Sequence, residues 1–519
     1  MQYVLGNMLN GGGINPDGLS LDLQFAADKT LTARRGPTPV FTRSSGDNGG
    51  TTYFGPLVDF DLLAEIPAIG ITNGRASWFK SDGGNDITIS YTGTRWRVVV
   101  AYNGTEDVYL AAPGSEWRPD QADWSGQDFS VTTSGTFGIV KAANNEPRFD
   151  HTPAGVCRGL LIEEGRTNLC LQSNAFSTSP WANINSACAI SQNETGPDGI
   201  ANSAWTFTDD SMDRAEGRYL EASLTSGVVY SLSVFVKKTT GTPSTYPAIW
   251  LARSGTLGGC VINTTAGTAT AITSFSPLTI MSTTASVVDS GNFWRVTSLI
   301  TPNVTGSWEI SISPSGNGNG TGVFDVTATG SAVFWGAQLE AGSFATSYIP
   351  TTTGSAVRSA DVCSITGGNF NNFYNQSEGS VFFNGSSAGR STSSTYGDAA
   401  FRLNIFSDPS NRIGMLAASG TSRVEIASGN VAQYNANRSY SNNTGFKQTL
   451  GYSSGQLSSG FIDNVSMTAT GNIALTSPNV VSMAIGGSGA GGNQINGHIA
   501  AIRYYKKRLP DAKLAQLTV

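Results

Sequence analysis

Charge is scarce in this chain. Only 13% of its 519 residues are Asp, Glu, Lys or Arg, about half the share of an ordinary globular domain. The net charge is −6, and the longest basic run is Lys506-Lys507-Arg508. A nucleic-acid partner is therefore not expected. Cysteine is sparse too. Cys157, Cys170, Cys188, Cys260 and Cys363 are odd in number and form no C-x-x-C pair, so neither a disulfide framework nor a zinc site is expected, and the thiols read as free. No apolar run reaches the ~18 residues of a membrane-spanning helix. The start, "MQYVLGNMLN", lacks a basic region and a long apolar core. A secretory signal is not expected there. His151 and His498 are the two histidines, and they fall in different predicted domains. No Ser-His-Asp set or histidine metal site assembles from them. There is no G-x-S-x-G, no phosphate-binding glycine loop and no solenoid period.

Gly, Ser, Thr and Asn fill the space that charge leaves. The chain is still 39% hydrophobic and 10% aromatic, which argues against disorder. An all-β, multidomain protein of roughly two to four domains is expected. Residues 1–45 contain "LSLDLQF", where Leu19, Leu21 and Leu23 alternate as on a strand. Pro37 and Pro39 then break pairing. Residues 46–135 read as a small inserted β module. Ile87, Ile89 and Tyr91 alternate there, and "YTGT" and "YNGT" are turn signals. Residues 136–176, with "GLLIEEGRTNL", are more charged and read as an ordered connector.

From 177 to 362, short strands recur between polar turns, as in a jelly-roll sandwich. In "VVYSLSVFVKK", Val228, Tyr230, Leu232, Val234 and Val236 share a face. In "SWEISIS", Trp308, Ile310 and Ile312 do. In "AVFWGAQLE", Val333, Trp335, Ala337 and Leu339 are expected on one face. Residues 363–377 read as a linker. Residues 378–519 form a second β region, closing with a strand and then a helix. Pro510, Asp511, Leu514 and Leu517 carry that helix signal.

Glu163-Glu164 is the obvious carboxylate pair. Glycosidases need two carboxyl groups across one bond, but neighbours on an extended strand face opposite ways. Pairing with Arg158, Arg166 or backbone is the expectation. Asp209, Asp210 and Asp213 ("TDDSMDRAEG") make an acidic loop, either solvated or a candidate calcium site.

Two phrases carry a resemblance. "CRGLLIEEGRTNLCLQSNAFSTSPW" and, much later, "FWGAQLEAGSFATSYIPTTTGSAVRSAD" resemble phrases of bacteriophage tail-fibre and other virion surface proteins. There they lead into and out of a jelly roll like that of carbohydrate-binding modules. "GPDGIANSAWTF", "YSLSVFVKK" and "NFWRVTSLIT" stand at matching places, so the match covers about residues 137–362. "GHIAAIRYYKKRLPDAKLAQLT" is similar to the end of concanavalin-like lectin sandwiches in phage proteins. The 46–135 module departs from the family, whose start normally runs almost directly into "NEPRFDH".

The resemblance implies a virion fibre or spike subunit, a homotrimer that binds a host surface polysaccharide. Residues 1–45 would attach it to other tail or baseplate proteins. No enzyme activity and no membrane insertion are expected. Jelly-roll carbohydrate-binding modules often carry a structural calcium, so Asp209, Asp210 and Asp213 are the one candidate cofactor site. Their spacing matches no known calcium loop, and a solvated loop is the preferred reading. Trp294 and Trp335 match the family's core positions, and Trp205 also reads as core-facing. Tyr246, Trp250, Tyr434, Tyr440 and Tyr452 are the candidate glycan-stacking residues. Phe334, Trp335 and Leu339 would form the last strand closing the sandwich, with Tyr348 and Ile349 pinning the exit. The rival readings are a structural collar, head or baseplate protein and a glycan depolymerase.

Overall fold

A computed structural model describes residues 148–153, 156–185, 187–241, 246–387, 445–453, 457–472, 482–487 and 494–519, with Val480 and, elsewhere, strand segments mostly as backbone. The chain is all-β, with several antiparallel sheets and, among the described residues, two short helices, Gly367–Asn371 and Asp511–Leu517. It divides into two compact units. Residues 10–13 and 28–140 form the smaller, and 1–9, 14–27 and 141–519 the larger.

The smaller unit holds a five-stranded meander, Gly70–Thr72, Arg75–Asp82, Asn85–Tyr91, Trp96–Tyr102 and Thr105–Leu110, each strand paired with the next. Tyr102 pairs with Thr105, the register that an intervening Asn-Gly favours. Two further ribbons pair Thr38–Arg43 with Phe129–Ser134 and Arg34–Arg35 with Gly138–Ile139.

The larger unit contains a two-sheet sandwich. One sheet runs Ala189–Glu194, Ala204–Asp209, Gly330–Ala341, Tyr230–Lys237, Phe293–Ile300, Thr283–Asp289. The other runs Ala182–Ile184, Gly217–Leu224, Gly306–Asn317, Tyr246–Arg253, Thr256–Asn263, Thr268–Ala271. Alternation puts Leu232, Val234 and Val236 of the first against Trp308, Ile310 and Ile312 of the second in one core. Trp205 lies in that core as well.

Gly330–Ala341 is the last strand of the sandwich in chain order, as expected, and it closes the sheet from a central position, between Ala204–Asp209 and Tyr230–Lys237. One expectation changes, because it does not keep one face. The register shifts between Ser233 and Phe235, and Gly336 takes a φ of +64°. This bulge turns Trp335 away from the Ala337–Leu339 face. Phe334, Ala337 and Leu339 line the core between the sheets. Trp335 instead packs on Phe235 at 5.3 Å and Tyr348 at 4.6 Å.

The remaining strands of the larger unit join segments far apart in the chain. Gly497–Tyr505 pairs with Glu378–Ser387 on one edge. Its other edge is shared: Cys157–Ile162 takes Gly497 to Ile499, and Leu19–Gln24 takes Ala501 to Tyr505. Phe149–His151 continues that eight-stranded sheet beyond Cys157–Ile162. Gln2–Val4 lies parallel to Val362–Thr366. The expected boundaries are corrected accordingly. Residues 1–45 contribute strands to the C-terminal sheets, and 136–176 is no mere connector. Residues 363–377 are no linker, since Phe370 and Phe373 are buried there. The two histidines also meet in one sheet, in Phe149–His151 and Gly497–Tyr505. The sandwich is thus inserted between Cys157–Ile162 and Val362–Thr366, both host strands. Its ends leave through a ribbon pairing Arg166–Asn168 with Ala356–Arg358.

Candidate functional site

The two phrases meet where the inserted sandwich joins the host sheets. Asn168 is fully buried and makes four hydrogen bonds. Its Oδ1 accepts from the N–H groups of Cys170 and Leu339, both at 3.0 Å. Its Nδ2 donates to the carbonyls of Ala337 at 3.2 Å and Ile349 at 2.8 Å. Gln338 Oε1 accepts from the Ile349 N–H at 2.6 Å, and Glu340 Oε2 from the Thr346 N–H at 3.0 Å. Tyr348 and Ser173 share a hydroxyl–hydroxyl bond of 2.6 Å. The polar residues of the exit phrase thus satisfy buried backbone groups, and Tyr348 and Ile349 hold the exit as expected.

Glu163 and Glu164 follow the strand Cys157–Ile162 and point to different partners. Glu163 Oε2 lies 2.7 Å from Arg148 Nη1 and 3.1 Å from Arg358 Nη1. Arg148 and Arg358 also contact Asp361. Burial alone would raise the Glu163 carboxyl. Arg358, Arg148 and the Ser347 N–H outweigh it and hold the group well below the usual carboxylate range. Glu164 Oε1 pairs with Arg166 Nη2 at 2.5 Å. Arg158 turns instead toward Asp150, which also bonds His498 Nε2 at 2.9 Å.

The candidate sugar platforms fare differently. Trp250 is only 5% exposed and packs edge-on against Phe324 at 5.0 Å. It belongs to a second apolar cluster, with Leu257, Val261 and Ile272, on the sheet's outer face. Tyr246 is half-buried, and Gly320 sits against its ring, where a Cβ would be 3.0 Å from Cε1. Tyr452 is fully buried, its hydroxyl bonded to Tyr504 at 2.7 Å and to the Asn375 carbonyl at 2.8 Å. The exposed-platform reading is therefore withdrawn for Trp250 and Tyr452. Tyr246–Arg253 presents apolar residues on two faces, so alternation there could not tell an exposed face from a second core. In Gly445–Ser453, by contrast, Tyr452 shares one face with Phe446 and Leu450, a pattern that already places it in the core. Tyr440 and the Tyr434 side chain lie outside the described residues.

The acidic loop closes on itself. Asp209 is 1% exposed, and its two oxygens accept from the N–H groups of Ser211 at 3.1 Å and Glu216 at 3.0 Å. Burial pushes its carboxyl up to about 6. Asp210 and Asp213 are exposed. Among the described residues no group of three or more His, Cys, Asp or Glu side chains is arranged to hold a metal. The three aspartates are thus not brought together as a calcium site.

An exposed polar face remains. Trp308 and Ile310 point into the core, so Glu309 between them points out. Glu309 is directly opposite Glu221 on the neighbouring strand, which places their Cβ atoms about 4.5–5.5 Å apart. Ser307 Oγ donates to Glu221 Oε2 at 2.6 Å. Partial burial first, and then the Glu221 charge, raise the Glu309 carboxyl above its ordinary value. Both glutamates are exposed, with half-buried Tyr219 on the same face. Nothing singles out this pair in the sequence, since it depends on which strands are neighbours.

No protein-family model and no curated protein matches the chain. Solved structures do match. A Trypanosoma rangeli sialidase in complex with sialic acid is 10% identical, with 92% of this chain and 76% of that one covered, at a TM-score of 0.22. A mutant of the same sialidase displaying trans-sialidase activity is 11% identical, with 96% and 98% covered, at 0.21. Domains LG4-5 of the mouse laminin alpha1 chain are 10% identical, with 63% and 96% covered, at 0.17. The expectation that this chain is not an enzyme is corrected by these matches. Several are to enzymes by name, and the exclusion of enzyme activity is withdrawn. At such TM-scores they assign no activity to this chain either.

Proposed function

We propose that the chain is a bacteriophage virion fibre or spike subunit that binds a host cell-surface glycan through its β-sandwich domains. The oligomer in this reading is a homotrimer, located in the virion and attached to tail or baseplate proteins. The ordered family phrases support the virion assignment. The observation that carries glycan binding is the exposed face bearing Tyr219, Glu221, Ser307 and Glu309. Carboxylates and a serine hydroxyl suit the hydroxyl groups of a sugar, and an aromatic ring borders them. Weak sites of this kind gain strength when repeated on linked copies. Binding of the purified protein to host cells and extracted polysaccharide tests this, with Glu221→Gln and Glu309→Gln as variants.

One observation favours a second reading, a structural collar, head or baseplate component. Trp250 and Tyr452 are buried, which removes two aromatic platforms on which a sugar would stack. In that reading the sandwiches contact protein, and an assembled oligomer binds no polysaccharide.

A further inference from the structure

We propose that Arg148, Glu163, Arg358 and Asp361 act as one joint that couples the inserted sandwich to the host sheets, so that the two unfold together. Each of the four stands at a crossing point. Arg148 precedes the host strand Phe149–His151, and Glu163 follows the host strand Cys157–Ile162. Arg358 ends the ribbon strand Ala356–Arg358, and Asp361 precedes the host strand Val362–Thr366.

The contacts reach both sides. Toward the inserted sandwich, the Ser347 N–H donates to Glu163 Oε1 at 2.8 Å, and Arg148 Nη1 donates to Ser347 Oγ at 3.0 Å. Toward the host, Gln494 Nε2 donates to the Asp361 carbonyl at 3.2 Å. The backbone ribbon at the crossing is only three residue pairs long. By itself so short a ribbon would leave the two parts to move and melt separately, as loosely joined domains do.

The cluster holds two cations and two anions and is neutral. Its side chains are only 6 to 19% exposed. Pulling one member out leaves an uncompensated charge among the other three, which is strongly unfavourable. The joint therefore opens as a whole or not at all. Arg166 supplies a parallel tie. It donates to the Ala341 carbonyl and lies 4.7 Å from the centre of the Phe344 ring, while pairing with Glu164. Glu164 in turn accepts from Asn496 of the host at 3.2 Å.

The test uses the full chain and two isosteric variants. Asp361→Asn breaks the joint, and Glu194→Gln removes a half-buried pair with Lys237, far from the joint in the sheet order, as a control. Amide hydrogen exchange follows Ser347 on the inserted side and Glu163 and Asp361 on the host side. In the wild type and in Glu194→Gln the three amides are expected to exchange within about tenfold of one another, as members of one cooperative unit do. In Asp361→Asn, Ser347 is expected to separate from the other two by more than that factor. A wider spread already present in the wild type would overturn the proposal. So would a folded Asp361→Asn protein whose three amides still exchange together. If Asp361→Asn does not fold, the wild-type comparison alone decides.

Discussion

Glu163 and Asp361 hold each other twice. The Glu163 N–H donates to Asp361 Oδ2 at 2.8 Å, and the Asp361 N–H donates to the Glu163 carbonyl at 2.9 Å, across 198 residues of chain. The first phrase and the last phrase thus form one structural element, into which the sandwich is inserted.

Glu163→Gln is expected to lower stability by about 3–5 kcal/mol, since it leaves the buried Arg148 and Arg358 with Asp361 as their one remaining anion. Glu194→Gln, at the solvent-accessible, half-buried Lys237 pair, is expected to change stability by about 1 kcal/mol or less. Urea unfolding of the two variants measures the contrast.

The pH dependence has two opposing contributions. The Glu163 carboxyl is held low in the fold, so it contributes stability above the ordinary carboxylate range, and that contribution is lost as pH falls. The Asp209 carboxyl is raised to about 6. Its contribution has the other sign: it is full below pH ~4 and lost as pH rises toward ~6. The stability difference between wild type and Asp209→Asn should therefore shift against the wild type between those values. The same difference for Glu163→Gln should be flat above pH ~5 and shrink below it. Thermal unfolding across a pH series checks both signs.

Trp250→Ala is expected to cost about 3–5 kcal/mol of stability, as for other buried aromatic truncations. Glycan binding per folded molecule should be unchanged, because the ring packs against Phe324. Denaturation and binding measured on the same preparation separate the two effects.

Gly342 has a φ of +143°, and a Cβ there would overlap the Arg166 guanidinium. Gly342→Ala is expected to destabilise by about 1–3 kcal/mol, from backbone strain and the displaced arginine together. Part of that loss should vanish in an Arg166→Ala background, giving a measurable coupling in a double-mutant cycle.

Much of this fold is legible in residue order. The alternation of Leu232, Val234 and Val236, the Asn-Gly turns and the Pro510-Asp511 helix start are local signals, and the structure follows them. The Glu164–Arg166 pairing is local too and was expected. What failed depends on distant neighbours. The bulge at Gly336 moves Trp335 to the other face of its strand. A second apolar layer covers Trp250. The pairing of Leu19–Gln24 with Gly497–Tyr505 spans nearly the whole chain. The facing of Glu221 and Glu309 likewise follows from strand order alone.

The most direct measurement is binding of the assembled protein to extracted host surface polysaccharide, with reducing-end release followed in the same samples. Saturable binding, weakened at least tenfold by Glu221→Gln or Glu309→Gln in folded protein, is the result expected here. Binding that is indifferent to both substitutions would remove this face from the account. An assembled oligomer that binds no host polysaccharide would contradict the glycan-binding reading itself and leave the structural virion role.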